Sequence, residues 1–242
     1  SGLTSAYYLQ SKYDVTVFEK NDYIGGHTAT KSIKLIEGTF NIDTGFIVFN
    51  NWTYPNFIRL LNEIGVESND TEMGFSVSCD NTGLEYSGGS FSSLFAQKKN
   101  YFSFKHWRLI LDILKFNRIS KQRLTSNSLD ESITINEFID QLKLSRQFRE
   151  KYLIPMGAAI WSSGIEQMGE FPALYFLRFF KNHGLLNITD RPQWKVVKGG
   201  SKSYVDKLLQ QSQFIIKKNT SVVSVSSKQG IVELTVDADT GQ

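Results

Sequence analysis

Apolar and polar positions repeat at intervals that predict helices and strands near both ends of the chain. Residues 2–10 have the spacing of a helix opened by a glycine, and residues 15–19 form an apolar run typical of a strand. Residues 54–64 carry apolar side chains at helical intervals, as do residues 204–211 after the glycine pair at 199–200. These patterns predict α/β structure at the two ends.

The middle of the chain is mostly helical in its pattern. Residues 102–150 and 171–180 repeat apolar side chains at helical spacing, while residues 75–86 predict a hairpin with its turn at 80–83. After the last helix, three short strands are expected to form a meander. They lie at residues 214–217, 222–225 and 230–236.

This order of elements predicts an α/β fold with an inserted domain. We expect a Rossmann-like nucleotide-binding domain in two parts, residues 1–50 and 191–242, with a glycine-bearing loop at residues 20–31. A mostly helical substrate domain, residues 51–190, would interrupt it.

The chemistry of residues 15–30 is the most informative in the chain. The apolar run ends in an acid, Glu19, and the pair Gly25 and Gly26 follows six residues later. In a dinucleotide-binding βαβ unit, a helix N-terminus faces the pyrophosphate, and an acid at the tip of the second strand accepts hydrogen bonds from a ribose. Gly2 opens the preceding helix. Its distance from Glu19 is close to the ~20 residues that the fingerprint requires.

The fingerprint G-x-G-x-x-G is only partly present. Gly2 is a candidate for its third glycine, and the first two glycines are not in the sequence. The chain also has no initiator methionine. We therefore expect the first strand and two phosphate-loop glycines to lie upstream of Ser1. We also expect this stretch by itself to be inactive and to bind its cofactor poorly.

Composition narrows the choice of partners. The net charge is +3 and the basic residues are spread along the chain, so no nucleic-acid partner is expected. The single cysteine, Cys79, excludes an intrachain disulfide and a multi-cysteine metal site. His106 and His183 lack ligand partners at metal spacing, so no metal is expected. One cysteine fits a reducing compartment, which favours a cytoplasmic protein. Peripheral contact with a membrane surface is the further option.

Several short segments resemble those of the FAD-dependent amine oxidase and phytoene desaturase superfamily. They are Gly2-Leu3-x-x-Ala6, Glu19, Gly25-Gly26-His27-x-x-Thr30 and Gly199-Gly200 before a helix. Three longer segments are similar to a closer group, the bacterial predicted NAD/FAD-binding flavoproteins, which have relatives fused to cyclopropane-fatty-acid synthases. They are Asp43–Asn50, Met156–Trp161 and Arg191–Trp194. The resemblance spans essentially the whole chain.

The resemblance implies FAD as cofactor and assigns residues to it. Glu19 would bind the adenosine ribose, the glycine pair would bring backbone amides to the diphosphate, and the main chain of Val222 would lie against the adenine. The full set of implied cofactor-binding residues is Gly2, Leu3, Glu19, Lys20, Gly25, Gly26, His27, Thr28, Thr44, Gly45, Phe46 and Val222. His27 stands where most members of the superfamily carry arginine, and a partly charged histidine pairs less firmly with phosphate.

The same resemblance implies an oxidoreductase that removes a hydride from an apolar small-molecule substrate, either a fatty acyl chain or an amine. No residue stands out as an acid or base, so the catalytic residues are left open. Two alternatives on related folds remain. One is a binding protein without flavin, of the guanine-nucleotide dissociation inhibitor type, and the other is a flavin-dependent isomerase.

Residues 101–123 combine basic and aromatic side chains around a single acid, Asp112. A basic helix with aromatic residues can lie on an anionic membrane surface. Such a helix can also be an ordinary amphipathic element that packs its apolar face inside the inserted domain, which is the commoner arrangement.

Overall fold

The computed structural model describes residues 1–238, which fall into two compact units. The first unit combines residues 1–71 with the chain from Gln193 onward, and the second is Glu72–Pro192. The sequence pattern predicted the first boundary at residue 50 and the second at residue 190. The first unit extends 21 residues past the first predicted boundary.

The opening part of the first unit is a mixture of short strands and two helices. In chain order it contains α1 (Gly2–Leu9), β1 (Thr16–Phe18), β2 (Ala29–Leu35), β3 (Gly38–Gly45), β4 (Phe49–Asn50), α2 (Pro55–Ile64) and β5 (Ser68–Thr71). Helix α2 has a proline in its first turn, where a missing N–H costs nothing, and ends at Gly65 in the left-handed conformation. Strands β2 and β3 pair antiparallel. Strand β2 starts inside the predicted loop. Its sequence is largely polar, so the apolar pattern did not indicate a strand there.

The second unit is largely helical. Its elements are β6 (Ser76–Cys79), β7 (Leu84–Ser87), α3 (Phe91–Leu94), α4 (Phe104–Thr125), α5 (Ile135–Gln141), α6 (Arg146–Phe148), α7 (Ile154–Trp161), α8 (Ile165–Gly169) and α9 (Ala173–Asn182), with a 3-10 turn at Lys98–Phe102 and a π-helical turn at Arg149–Leu153. Strands β6 and β7 form the predicted hairpin. The core of the second unit is rich in fully buried phenylalanines, among them Phe116, Phe148 and Phe176.

Helix termini in the second unit are capped by nearby hydroxyl side chains. The Ser103 hydroxyl accepts a hydrogen bond from the backbone N–H of His106 at the start of α4. Thr134 and Glu137 form a reciprocal capping box at the start of α5. Each cap satisfies N–H groups that have no partner inside the helix, which contributes about 1 kcal/mol to helix stability.

The chain then returns to the first unit. It forms β8 (Trp194–Val197), α10 (Lys202–Gln210), β9 (Ile215–Lys217), β10 (Thr220–Lys228) and β11 (Ile231–Ala238). Strand β8 pairs antiparallel with both β4 and β5 to make a three-stranded sheet, and β10 pairs antiparallel with β11. Strand β9 pairs in parallel with β1.

The predicted meander of the last three strands is wrong. Strand β9 pairs with β1 rather than with β10, and its edge is extended by hydrogen bonds from Ile215 N to Val15 O and from Glu19 N to Lys217 O, each 2.9 Å long. Strand β1 is three residues long and needs a partner for its backbone N–H and C=O groups. Strand β9 supplies that partner from about 200 residues away, which no local pattern could indicate.

Helix α2 belongs to the first unit because its apolar face is buried there. Its residues Leu60 and Ile64 pack with Leu208 of α10, and Leu3 of α1 lies against the same cluster. Strand β5, which follows α2, pairs with β8 over four residues. These contacts keep residues 51–71 with the first unit instead of the inserted domain.

Among the described residues, no helix is both long enough and apolar enough to cross a bilayer.

Candidate cofactor-binding site

Glu19 lies immediately after β1, at the carboxyl end of a strand in the parallel pair. Its Oε1 accepts hydrogen bonds from the backbone N–H of Asn21, at 2.9 Å, and from the Asn21 side-chain amide, at 3.1 Å. These bonds fix the carboxylate against its own turn. Within residues 1–238 the Oε2 atom accepts no hydrogen bond, so it can still accept one from a ligand hydroxyl.

The main chain of Glu19 meets the start of β10. The Glu19 carbonyl accepts a hydrogen bond of 2.9 Å from Thr220 N, and Asn21 O accepts one of 3.2 Å from Asn219 N. Val222 stands two residues farther along β10, opposite Val236 and beside a bulge, with its side chain 40% exposed. The predicted ribose-binding and adenine-binding positions therefore lie on neighbouring strand ends of one unit.

The loop that contains the glycine pair packs on α10. The hydroxyls of Thr28 and Tyr204 are 2.6 Å apart, and a Cβ added to Gly25 would lie 3.7 Å from a methyl group of Val205. Gly25 and Gly26 both have positive φ, +135° and +61°, which a glycine adopts readily. A Cβ on Gly26 would meet nothing within 4 Å, so space is open beside this loop.

Gly45 ends β3 in a crowded place. A Cβ there would overlap the carbonyl oxygen of His27, far inside the 3.0 Å that real Cβ atoms observe. Thr44 donates its hydroxyl to Ala29 O at 3.1 Å, which ties β3 to β2. Phe46 has φ of 54° and packs edge-on against Phe57 with ring centroids 5.0 Å apart. Each of these three predicted cofactor-binding residues thus has a structural role, and their contact with FAD stays a prediction.

The remaining predicted residues differ in how they are placed. Gly2 begins α1, and a Cβ there would meet nothing within 4 Å, whereas Leu3 packs into the apolar cluster. Helix α1 itself contacts both β1 and α10. The side chains of Lys20 and His27 are exposed. Both side chains are therefore accessible to a ligand.

A polar junction at the start of α10 was not predicted from the sequence. The Asp43 carboxylate accepts bonds from Ser201 N at 2.9 Å, from the Ser201 hydroxyl at 2.7 Å and from the Thr30 hydroxyl at 2.5 Å. The Thr30 hydroxyl in turn accepts a bond of 2.9 Å from Lys202 N. Gly200 has a φ of +96° and allows Thr30 to approach closely. A Cβ on Gly200 would lie only 2.6 Å from the methyl group of Thr30. The sequence motifs had singled out two parts of this junction, Thr30 and the glycine pair at residues 199–200.

Two titratable groups of the second unit, Cys79 and His106, have shifted pKa values. Hydrogen bonds from Thr82 and from the Lys151 ammonium lower the pKa of Cys79 to about 7, and the Lys151 Nζ is 3.1 Å from its sulfur. Burial lowers the pKa of His106, which keeps that ring neutral near pH 7. Among the described residues, no group of three or more His, Cys, Asp or Glu side chains could bind a metal ion.

Comparison with known proteins places the whole chain in one family. Residues 1–242 match the family described as flavin containing amine oxidoreductase. The chain therefore belongs to this family, and both the predicted resemblance and the predicted α/β fold are confirmed. Among the curated proteins, none matches it.

Solved structures of low sequence identity share the fold. Wild-type putrescine oxidase bound to putrescine is 18% identical with a TM-score of 0.60, and the match covers 98% of this chain and 52% of that one. A CLA-producing fatty acid isomerase from P. acnes is 14% identical with a TM-score of 0.62, covering 97% and 52%. An oxidoreductase from Methanosarcina mazei is 16% identical with a TM-score of 0.59, covering 97% and 53%. The chain thus spans about half the length of these proteins.

FAD is the cofactor of this family, and the described residues fit its adenosine ribose and its diphosphate. The acid after β1 has an oxygen atom open to a ribose hydroxyl, and open space lies where a Cβ on Gly2 or Gly26 would point. A diphosphate needs such close approach to backbone amides and to a helix N-terminus. Small residues at these positions therefore suit the cofactor that the family requires.

Proposed function

We propose that the protein is an FAD-dependent oxidoreductase of the amine oxidase type that removes a hydride from an apolar substrate. The family match supports the flavoprotein class, and the proposal adds the reaction and the substrate class. Its main structural support is Glu19 at the carboxyl end of β1, beside the first residues of β10. In sheets with parallel strands, ligands bind beyond the carboxyl ends.

The residues of the first unit would act by binding and orienting the cofactor. Glu19 would accept hydrogen bonds from the adenosine ribose through Oε2, while its Oε1 stays bonded to Asn21. Backbone N–H groups near Gly2 and Gly26 would donate to the diphosphate. When bound, FAD supplies the hydride acceptor, and the protein contributes orientation and exclusion of water.

An apolar substrate is the second element of the proposal. The second unit, where the substrate domain was expected, has a large aromatic core that includes Trp161 among Phe171 and Phe176. A fatty acyl chain is the preferred substrate class and an amine is the next. This preference rests on the kinship with flavoproteins related to cyclopropane-fatty-acid synthases, which is an argument from analogy.

Flavin binding by the protein at its full length tests the first part. We expect the purified protein to show the visible absorbance of flavin, and Glu19→Ala to weaken FAD affinity about 10- to 100-fold, as expected from losing hydrogen bonds to a charged group. Glu19→Gln should weaken it less, because it keeps the acceptor for Asn21. Asp14→Ala is the matched control, since Asp14 is an exposed acid at the opposite end of β1.

The outcomes separate the alternatives. A protein that stays colourless after flavin supplementation supports a binding protein without redox chemistry and rejects the proposal. Equal FAD affinity of wild type and Glu19→Ala removes the ribose assignment. Anaerobic bleaching of the flavin by fatty acids or by amines identifies the substrate class. Conversion of substrate with no net consumption of an electron acceptor would instead show an isomerase.

A further inference from the structure

The second unit carries a cluster of exposed apolar side chains at the start of α4. Phe102 and Phe104 flank the helix cap Ser103 and are 94% and 82% exposed. Farther along the helix, Trp107, Leu111 and Leu114 are each at least 40% exposed. Large apolar residues exposed singly are common, but a contiguous group marks an interaction surface.

These side chains lie on one face of α4. Residues 104, 107, 111 and 114 are separated by three or four positions, which puts them along one side of a helix. The opposite side, which includes Leu109 and Phe116, is buried in the core. Helix α4 therefore packs into its unit as an amphipathic helix and still presents a second apolar stripe to solvent.

A cleft of about 890 Å³ adjoins the start of this stripe. Its lining includes Phe102, Phe104 and a group of basic side chains. The basic residues are Lys99, Lys105, Arg108, Arg146 and Lys151. The rim of an apolar patch is thus strongly cationic.

Two acids at this cleft, Glu150 and Asp112, pair with arginines. Glu150 is bonded to Arg146 Nε at 2.6 Å, and the buried Asp112 is bonded to Arg108 Nε at 3.1 Å. Asp112 also accepts a bond of 2.8 Å from Ser145 N. The lysines Lys99 and Lys105 are exposed, so the surface keeps a net positive potential.

We propose that this surface, the α4 stripe with its basic cleft, docks on a bilayer that contains anionic lipids. Amphipathic helices with basic polar residues and Trp, Phe or Leu bind in the membrane interface, with their apolar side chains among the acyl chains and their cations among the phosphates. Charge complementarity favours this occupant over a covering protein segment. Two of the five cations already pair with acids, and such a segment would have to supply partners for Lys99, Lys105 and Lys151 besides burying the stripe. The proposal does not depend on flavin binding.

Vesicle sedimentation with the protein at its full length tests the docking. We expect co-sedimentation with vesicles of phosphatidylcholine mixed with phosphatidylglycerol, and little with phosphatidylcholine alone. Binding should fall at high salt, because the Debye length shrinks to about 3 Å at 1 M. Absence of binding to the anionic vesicles overturns the proposal and would show that another segment or a protein partner covers the stripe.

Two double variants separate the apolar and the ionic contributions. Lys99→Glu with Lys105→Glu should weaken binding by at least ~25-fold, since each basic residue near an anionic surface contributes about fivefold. Phe102→Ser with Phe104→Ser should weaken it by ~10-fold or more, because both rings lose their burial in the interface. Matched controls on α9 are Tyr175→Ser, at a side chain 61% exposed, and Lys181→Glu. Binding by either double variant equal to that of the controls refutes the assignment.

The emission of Trp107 reports whether this face enters the bilayer. Its indole is 40% exposed and donates a hydrogen bond of 2.9 Å to Tyr101 O. We expect a blue shift of tryptophan emission with anionic vesicles that is lost in Trp107→Phe, while sedimentation persists. An identical blue shift in Trp107→Phe would mean that a different face of the protein contacts the lipid, and would overturn the proposal.

Discussion

Replacing Asp43 with alanine tests whether the junction at the start of α10 stabilises the first unit. The Asp43 carboxylate accepts two bonds from Ser201, one from its N–H and one from its hydroxyl, and a third from the Thr30 hydroxyl. Ser201 is fully buried, so water cannot easily replace the lost acceptor. The carboxylate also lies at the N-terminus of a helix, where a negative charge is favourable.

The size of the effect follows from these contacts. A hydrogen bond to a charged group contributes about 1.5–3 kcal/mol, and a buried N–H left without an acceptor costs about 1–3 kcal/mol. The interaction with the helix dipole adds about 0.5 kcal/mol. Because the bonds share one carboxylate they do not add in full, and we expect Asp43→Ala to lower the free energy of unfolding by ~3 kcal/mol. Asp43→Asn keeps an acceptor oxygen and should cost ~1 kcal/mol.

Urea denaturation followed by tryptophan fluorescence measures these differences through the midpoint at unchanged slope. The control is Asp70→Ala. Asp70 is 66% exposed at its side chain and pairs on the surface with Lys195 at 2.5 Å, so its loss should cost less than about 1 kcal/mol. If Asp43→Ala is no less stable than Asp70→Ala, the junction contributes nothing measurable and the reasoning fails.

The remaining predictions concern one thiol and one crowded glycine. With a pKa of about 7, Cys79 should be alkylated by iodoacetamide at a rate that rises with pH and is half-maximal near pH 7. Lys151→Met should move that half-point to higher pH, and an unchanged profile would show that the ammonium has no influence. Gly45→Ala should cost ~3 kcal/mol of stability, because its Cβ would overlap the His27 carbonyl. Gly26→Ala, at φ +61° with open space, should cost only ~1 kcal/mol, and equal costs would contradict the crowding.

The candidate site was accessible from the sequence only where its residues are close together in the chain. Glu19 and the glycine pair lie within eight residues of each other, so a strand followed by an acid and two glycines could be recognised locally. Asp43 and Ser201 are 158 positions apart, and Thr30 joins them only through packing. Whether the residues proposed for FAD bind it remains a prediction that the Glu19 variants test.

The sequence by itself determined several local elements and the class of protein. Periodic apolar residues fixed α2 and the β6–β7 hairpin, because the spacing of apolar side chains decides which face of an element is buried. Only the tertiary structure decided that β9 pairs with β1, that α2 packs with α10 and that one face of α4 stays exposed. Those outcomes depend on partners far away in the chain, and a local pattern shows that a surface must be covered without showing by what.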